Sequence, residues 1–212
     1  MSSVNILIAV TELLGVIILL TAFEMLAQSF VRPMINTVAL QSITLAVIML
    51  LTGLSRHSYD LLLLAALTVA IRGIAIPEIM KKDVRKTGIW VYREVETRVP
   101  ALVIVGLLLS IFGYVVYREL AGTLHIGSKG ALPFILFLLG FLLIIAKKNA
   151  LAQMTGYIVE ENALLYAGIS FSHMPLILEA GVFLDLLALV LAGVILAAEK
   201  DYGVLELEEL VG

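Results

Sequence analysis

Acidic side chains inside apolar stretches are the residues of this sequence most able to do chemistry. Each charge at the centre of a membrane span costs about 2.5–3.5 kcal/mol on insertion scales, so such residues mark ion pathways or buried pairs. A carboxyl group in a low-dielectric environment can both take up and release a proton. Six carboxylates occupy such positions: Glu12, Glu24, Glu160, Glu161, Glu179 and Asp185. They predict an ion relay.

The apolar stretches predict the elements that carry these carboxylates. Of 212 residues, 61% are hydrophobic and 15% are charged, whereas a soluble domain is about half apolar and a quarter charged. We therefore expect an all-α integral protein of the cell membrane. Runs near the ~20 residues that cross hydrocarbon predict seven transmembrane helices: Val4–Ala27, Asn36–Leu54, Ser58–Ile76, Val99–Tyr117, Ala131–Ala146, Ala150–Phe171 and Pro175–Ala198.

The connections between these spans suggest the organisation of the chain. Residues 1–130 form an N-terminal four-helix region, residues 131–198 a three-helix unit, and residues 199–212 an acidic tail. Pro77 is expected to end the third helix. The polar connection Lys81–Arg98 is either an interfacial helix, with aromatic side chains at headgroup level, or a solvated loop.

The distribution of lysine and arginine predicts the orientation. With seven spans, ten of these residues fall in connections on one side and three on the other. Because cytoplasmic loops carry the excess of positive charge, the N-terminus is expected outside and the C-terminus in the cytoplasm. Arg72 lies within the third span, close to its expected cytoplasmic end, so it is expected to snorkel to the surface.

The expected depths in the membrane place carboxylates of the last two helices at the same level. At 1.5 Å per residue, Glu160, Glu161 and Asp185 lie about 15 Å deep, and Glu179 about 6 Å below the outer surface. Glu160 or Glu161 should therefore meet Asp185 near the midplane; adjacent residues point about 100° apart on a helix, so one of the two faces the relay. Alternatively, the carboxylates only pair with basic residues of a neighbouring subunit. For Glu12 and Glu24, the sequence favours neither a role in the relay nor pairing with a neighbouring subunit.

The sequence lacks the motifs that are typical of redox, nucleotide-binding and metal sites. The chain has no cysteine, and no glycine-rich phosphate-binding motif is present. The three histidines fall in connections without metal-ligand spacing. We expect no catalytic, cofactor-binding or metal-ligating residue in this chain, and the basic residues serve topology rather than nucleic-acid binding.

The C-terminal third carries a family resemblance. The runs AKKNALAQMTGYIVEENALLYAG and MPLILEAGVFLDLLALVLAG resemble the hydrogenase-4 component E family over residues 131–198. The matching residues are Lys147, Lys148, Gln153, Gly156, Glu161, Asn162, Gly168, Pro175, Glu179, Gly181 and Asp185. The last three helices are also similar to the K-type subunit of complex I and the C subunit of multisubunit cation antiporters.

This resemblance implies a non-catalytic subunit of a membrane-bound [NiFe]-hydrogenase complex of the formate hydrogenlyase type. It implies partners among antiporter-like and hydrogenase-anchoring membrane subunits. The NiFe centre and the Fe–S clusters are expected in partner subunits of the complex, not in this chain. Lys147 and Lys148 would belong to the relay with the carboxylates, and either Glu179 or Asp185 would be its second acidic group. A structural bridging subunit and a cation/proton antiporter subunit are the alternatives.

Overall fold

The computed structural model of the chain describes residues 3–86, 99–124, 128–171 and 179–194. In these ranges the chain is almost entirely helical and contains no strand. The first two helices are α1 (Ser3–Ala27) and α2 (Val31–Arg56). Pro33 lies in the first turn of α2, where its missing N–H breaks no helical hydrogen bond.

The third helix differs from the prediction because it does not end at Pro77. It consists of α3 (Tyr59–Thr68), a π-helical turn (Val69–Ala75) and α4 (Ile76–Lys86), which follow one another without a break. The wider π-turn, in which Ile76 N–H donates to Ile71 O, directly precedes the proline. A proline ring clashes with the carbonyl four residues earlier, and the widened turn relieves that clash.

The polar connection is shorter than predicted as a consequence. Residues 81–86 continue the third helix as part of α4, so the loop interpretation is wrong for them. Residues 87–98 lie outside the described part of the chain. So does the acidic tail, 199–212.

The second half of the chain adds four helices. They are α5 (Val99–Leu124), α6 (Ala131–Ala146), α7 (Ala150–Ser170) and α8, which is described over residues 179–194. A short 3-10 turn (Ser128–Gly130) leads into α6. Three residues separate α6 from α7, and the side chain of Asn149 caps α7 by accepting from Leu151 N and Ala152 N.

The surface of the bundle is that of an all-α membrane protein. Four helices in the described chain are long and apolar enough to cross a membrane, namely α1, α2, α3–α4 and α5, and α6 is a shorter apolar helix. Large apolar side chains are exposed around the bundle, such as Ile145 (77%), Ile111 (63%) and Leu13 (62%). Soluble monomers rarely expose apolar patches of this extent.

Within the bundle, α2 is central and α5 peripheral. In its apolar stretch, 61% of α2 is buried inside the bundle, whereas the corresponding share of α5 is 11%. At one end of the bundle, Lys147 Nζ donates to Gln28 O at 2.7 Å and joins the α6–α7 turn to the α1–α2 turn. These two turns therefore lie on the same side, as alternating spans require. Which side is cytoplasmic stays a prediction.

Candidate functional site

The centre of the candidate site is Arg72, in the π-turn of the third helix. Its side chain is fully buried at 0% exposure, so the expectation that it snorkels to the surface is wrong. The prediction failed because the helix continues to Lys86, which places Arg72 far from the helix end. A guanidinium carries its charge at any accessible pH, so it must be compensated where it lies.

Two carboxylates from different helices compensate Arg72. Its Nε donates to Asp185 Oδ1 of α8 in a very short ion pair. Its Nη2 lies 3.3 Å from Glu161 Oε2 of α7. Both carboxylates are buried, with 0% and 1% exposure. The structure thus brings Asp185 together with Glu161, one of the two glutamates expected to meet it at one depth.

An amide connects this ionic group to the centre of the bundle. Asn162 Oδ1 accepts from Arg72 Nη1 at 3.1 Å. Asn162 Nδ2 donates to Gln41 Oε1 and to Ser42 Oγ of α2, both at 3.0 Å. Gln41 Nε2 in turn donates to Ile18 O and Thr21 Oγ1 of α1, both at 3.0 Å. We call Arg72, Glu161, Asp185, Asn162, Gln41 and Ser42 the buried network.

Glycines allow the helices to approach closely enough to form this network. A Cβ on Gly181 of α8 would lie 2.8 Å from Leu64 and 3.0 Å from Leu165 side-chain atoms, so α8 packs tightly against α3 and α7 one turn before Asp185. Gly140 and Gly156 bring α6 against α7: a Cβ at either would lie 2.9 Å from a backbone nitrogen of the other helix.

Several oxygens of the network are left open. Glu161 Oε1 and Asp185 Oδ2 are buried and have no hydrogen-bond partner among the described residues, and Glu161 Oε2 has only the 3.3 Å ion pair with Arg72 Nη2. The hydroxyl of Tyr157 is buried beside the Glu161 carboxylate and interacts with it. Because a buried polar group without a partner is costly, these oxygens are positions where a proton, an ion or water would bind favourably.

The remaining predicted relay residues lie apart from the network. Glu160 is partly buried on another face of α7, where a Cβ on Gly140 of α6 would meet its Cγ at 2.6 Å. Glu179, Glu12 and Glu24 are exposed. Glu24 Oε1 accepts from Gln28 at 3.1 Å. Of the two adjacent glutamates, Glu161 is the one paired with Arg72 among the described residues. In α8, the residue paired with Arg72 is Asp185 rather than Glu179.

The two lysines of the α6–α7 turn have different environments. Lys147 is buried, with 1% exposure, and its hydrogen bond to Gln28 O anchors the turn. Lys148 is exposed. Both lie at the end of α7 that is about three turns from Glu161, which is too far for direct contact with the buried network.

A cleft of about 420 Å³ opens at the opposite end of the bundle, between α1, α2, α6 and α7. Its charged lining residues are Glu12, Arg56 and Lys129. Tyr166, one helical turn from Asn162 on α7, also lines it. The cleft therefore ends about one turn from the buried network.

Some members of the network could have been found in the sequence. Gln41, Ser42 and Asn162 are amides and a hydroxyl inside apolar runs, a known signal of interhelical hydrogen bonding. Arg72 was the clearest signal, because intramembrane arginines pair within the bundle. Among the described residues, no three His, Cys, Asp or Glu side chains are grouped so that they could hold a metal ion.

Comparison with known proteins adds no relative. No protein-family model, no curated protein and no solved structure matches the chain.

Proposed function

We propose that this chain is a non-catalytic, ion-translocating subunit of a membrane-bound redox complex. The observation that carries the proposal is the buried network, in which two carboxylates on separate helices share one arginine. Glu161 Oε1 and Asp185 Oδ2 have no hydrogen-bond partner among the described residues. Intramembrane ionisable residues that face a bundle interior and pair with one another are typical of proton relays.

The family resemblance supports the more specific part of the proposal, which is the kind of complex that contains this chain. It favours a complex I-like [NiFe]-hydrogenase of the formate hydrogenlyase type, whose partner subunits hold the redox centres. This chain would then couple electron transfer in its partners to movement of a proton or sodium ion. A cation/proton antiporter is the alternative assembly, and purification of the intact complex followed by nickel and iron analysis separates the two.

The second candidate function is a structural bridge without an ion path. Buried ion pairs also occur as purely structural elements, and Arg72 already pairs with both carboxylates within the chain. In that case the network would hold α3, α7 and α8 together, and neutral side chains of similar shape would serve as well.

Substitutions that preserve shape separate these functions. Glu161→Gln and Asp185→Asn are made singly, and together with Glu160→Gln and Glu179→Gln, in the complex that contains this chain. Proton uptake into inverted membrane vesicles is followed with a pH-sensitive dye during redox turnover. A relay predicts intact assembly and strongly reduced uptake per turnover.

Glu78→Gln is the matched control, because Glu78 is exposed and lies outside the network. It should leave uptake unchanged. If the quadruple variant assembles and still pumps at the wild-type level, the relay is excluded and the structural bridge stands.

A further inference from the structure

We propose that the cleft between α1, α2, α6 and α7 binds one phospholipid with an amine headgroup, of the phosphatidylethanolamine class. The lipid phosphate lies between Arg56 and Lys129, and the lipid ammonium group lies at Glu12. All three side chains line this cleft of about 420 Å³. The proposal does not rest on ion translocation, because it assigns a ligand outside the buried network.

The charged side chains of the cleft favour a ligand that carries both signs of charge. Arg56 and Lys129 are basic and Glu12 is acidic, so the lining has a formal charge of +1. Although the three side chains border one space, no ion pair joins Glu12 to either basic group in the part of the chain that the structure describes. A phosphate between the basic groups and an ammonium at the carboxylate would satisfy all three through charge-assisted hydrogen bonds.

The three charged groups lie near one level, at the end of the bundle. Lys129 directly precedes α6. A Cβ on Gly15 of α1 would collide with the Tyr166 hydroxyl near the end of α7, and Glu12 is three residues nearer that end of the bundle, about 4.5 Å at 1.5 Å per residue. Arg56 ends α2, and because Cβ atoms tilt toward the N-terminus of a helix, its side chain points back toward the cleft. One headgroup can therefore reach all three groups.

Apolar side chains line the cleft deeper in the bundle than the charged ones. Val16 follows Glu12 by four residues and Leu132 follows Lys129 by three, so each lies about one helical turn further in. Ile48 lines the inner part from α2. Val16 is 45% exposed, which continues the apolar wall onto the outer surface of the bundle. This order, charged groups outside and apolar surface inside, matches the headgroup and acyl chains of a phospholipid.

Other ligands of the same size fit the lining less well. The volume lies in the range of roughly 300–1,000 Å³ that is usual for small-molecule sites. A metal ion would face two basic groups and one carboxylate. Basic pockets between transmembrane helices bind anionic lipid headgroups, but a headgroup without an amine leaves Glu12 without a partner. The quaternary ammonium of phosphatidylcholine has no N–H to donate to that carboxylate, so a primary amine is favoured.

Native mass spectrometry of the full chain in detergent micelles tests the proposal. Phosphatidylethanolamine, phosphatidylglycerol and phosphatidylcholine with identical acyl chains are titrated separately. The wild-type chain should retain one phosphatidylethanolamine more tightly than either other lipid. Arg56→Gln with Lys129→Gln should weaken this binding by about tenfold or more, because each change removes a hydrogen bond from a charged group. Glu12→Gln should remove the preference for phosphatidylethanolamine over phosphatidylglycerol.

Arg118→Gln with Glu119→Gln is the matched control. Both residues are exposed on α5 and lie outside the cleft lining. They belong to the same end of the bundle, because the neighbouring Tyr117 ring packs against Phe134 in the first turn of α6 at 6.0 Å between centroids. This variant changes one basic and one acidic group at that end and should bind phosphatidylethanolamine as the wild type does.

Three results would overturn the proposal. The first is equal binding of the three lipids by the wild-type chain, a measurement that decides the question even if a variant fails to fold. The second is a loss of phosphatidylethanolamine binding that is the same in the cleft variants and in the α5 control. The third is displacement of the lipid by millimolar inorganic phosphate or free phosphoethanolamine, which would identify the ligand as a soluble phosphate compound rather than a phospholipid.

Discussion

Arg72 Nη2 lies 3.3 Å from Glu161 Oε2, and neither side chain exposes more than 1% of its surface. With Asp185, this pair joins helices whose residues are up to 113 positions apart in the chain. Removing one partner of a buried ion pair leaves the other charge uncompensated, which costs more than the pair contributes. The stability of the bundle should therefore depend on the balance of charge in the network.

Arg72→Gln is expected to destabilise the protein severely. It leaves two carboxylates buried together, and loss of one partner of a buried pair costs about 3–5 kcal/mol. The triple variant with Glu161→Gln and Asp185→Asn removes all three charges and should recover most of that loss. SDS-induced unfolding in mixed micelles, followed by circular dichroism, measures both. Equal destabilisation of the single and triple variants would contradict the role of charge balance.

Asn162→Ala should weaken the contact between α7 and α2. It removes the partner of Gln41 Oε1 and of Arg72 Nη1, and a buried polar group left without its partner costs about 1–3 kcal/mol. Leu164→Ala is the control on the same helix, because Leu164 is 49% exposed. The same unfolding assay should show the larger loss for Asn162→Ala, and the reverse order would exclude a structural role for the amide.

Gly140→Ala and Gly156→Ala should separate α6 from α7. Each added Cβ would approach a backbone nitrogen of the opposite helix to 2.9 Å, and overpacking of this kind costs about 1–3 kcal/mol. Gly122→Ala is the matched control, since a Cβ there meets nothing within 4 Å. In a helix this control should be neutral or stabilising. Comparable melting temperatures for all three variants would argue against close packing of the two helices.

Lys147→Met should loosen the link between the two turns at one end of the bundle. The variant loses the 2.7 Å hydrogen bond to Gln28 O, and a hydrogen bond from a charged group contributes about 1.5–3 kcal/mol. Hydrogen exchange of backbone amides in the α1–α2 turn should accelerate. Lys82→Met, at an exposed position, should leave that exchange unchanged; equal acceleration in both would contradict the anchoring role.

The sequence predicted the helices better than their ends. The span Ala131–Ala146 agrees residue for residue with α6, because charge and glycine bound it on either side. The third helix was predicted to end at Pro77, yet it extends to Lys86. A π-turn that absorbs a proline depends on packing against α2, where a Cβ on Gly73 would lie 3.0 Å from Ile43 Cγ1. Local sequence does not encode that contact.

Because the third helix was predicted to end too early, the environment of Arg72, the centre of the candidate site, was also predicted wrongly. If the helix ended at Pro77, Arg72 would lie near water, and its side chain would be expected to snorkel to the surface. With four further turns beyond it, the arginine has no route to the surface. By contrast, the depth argument that placed Glu160 or Glu161 level with Asp185 needed only the rise of a helix and the position of the turns. The structure brings Glu161 and Asp185 together on Arg72.

The three-residue turn between α6 and α7 also constrains how the chain enters a bilayer. Among the described helices, α7 is not one of those apolar enough by composition to span alone, since it carries Glu160, Glu161 and Asn162. Its neighbour α6 consists entirely of apolar residues, proline and glycine. So short a turn favours insertion of the two helices as one hairpin, in which the apolar helix offsets the unfavourable partitioning of its acidic partner.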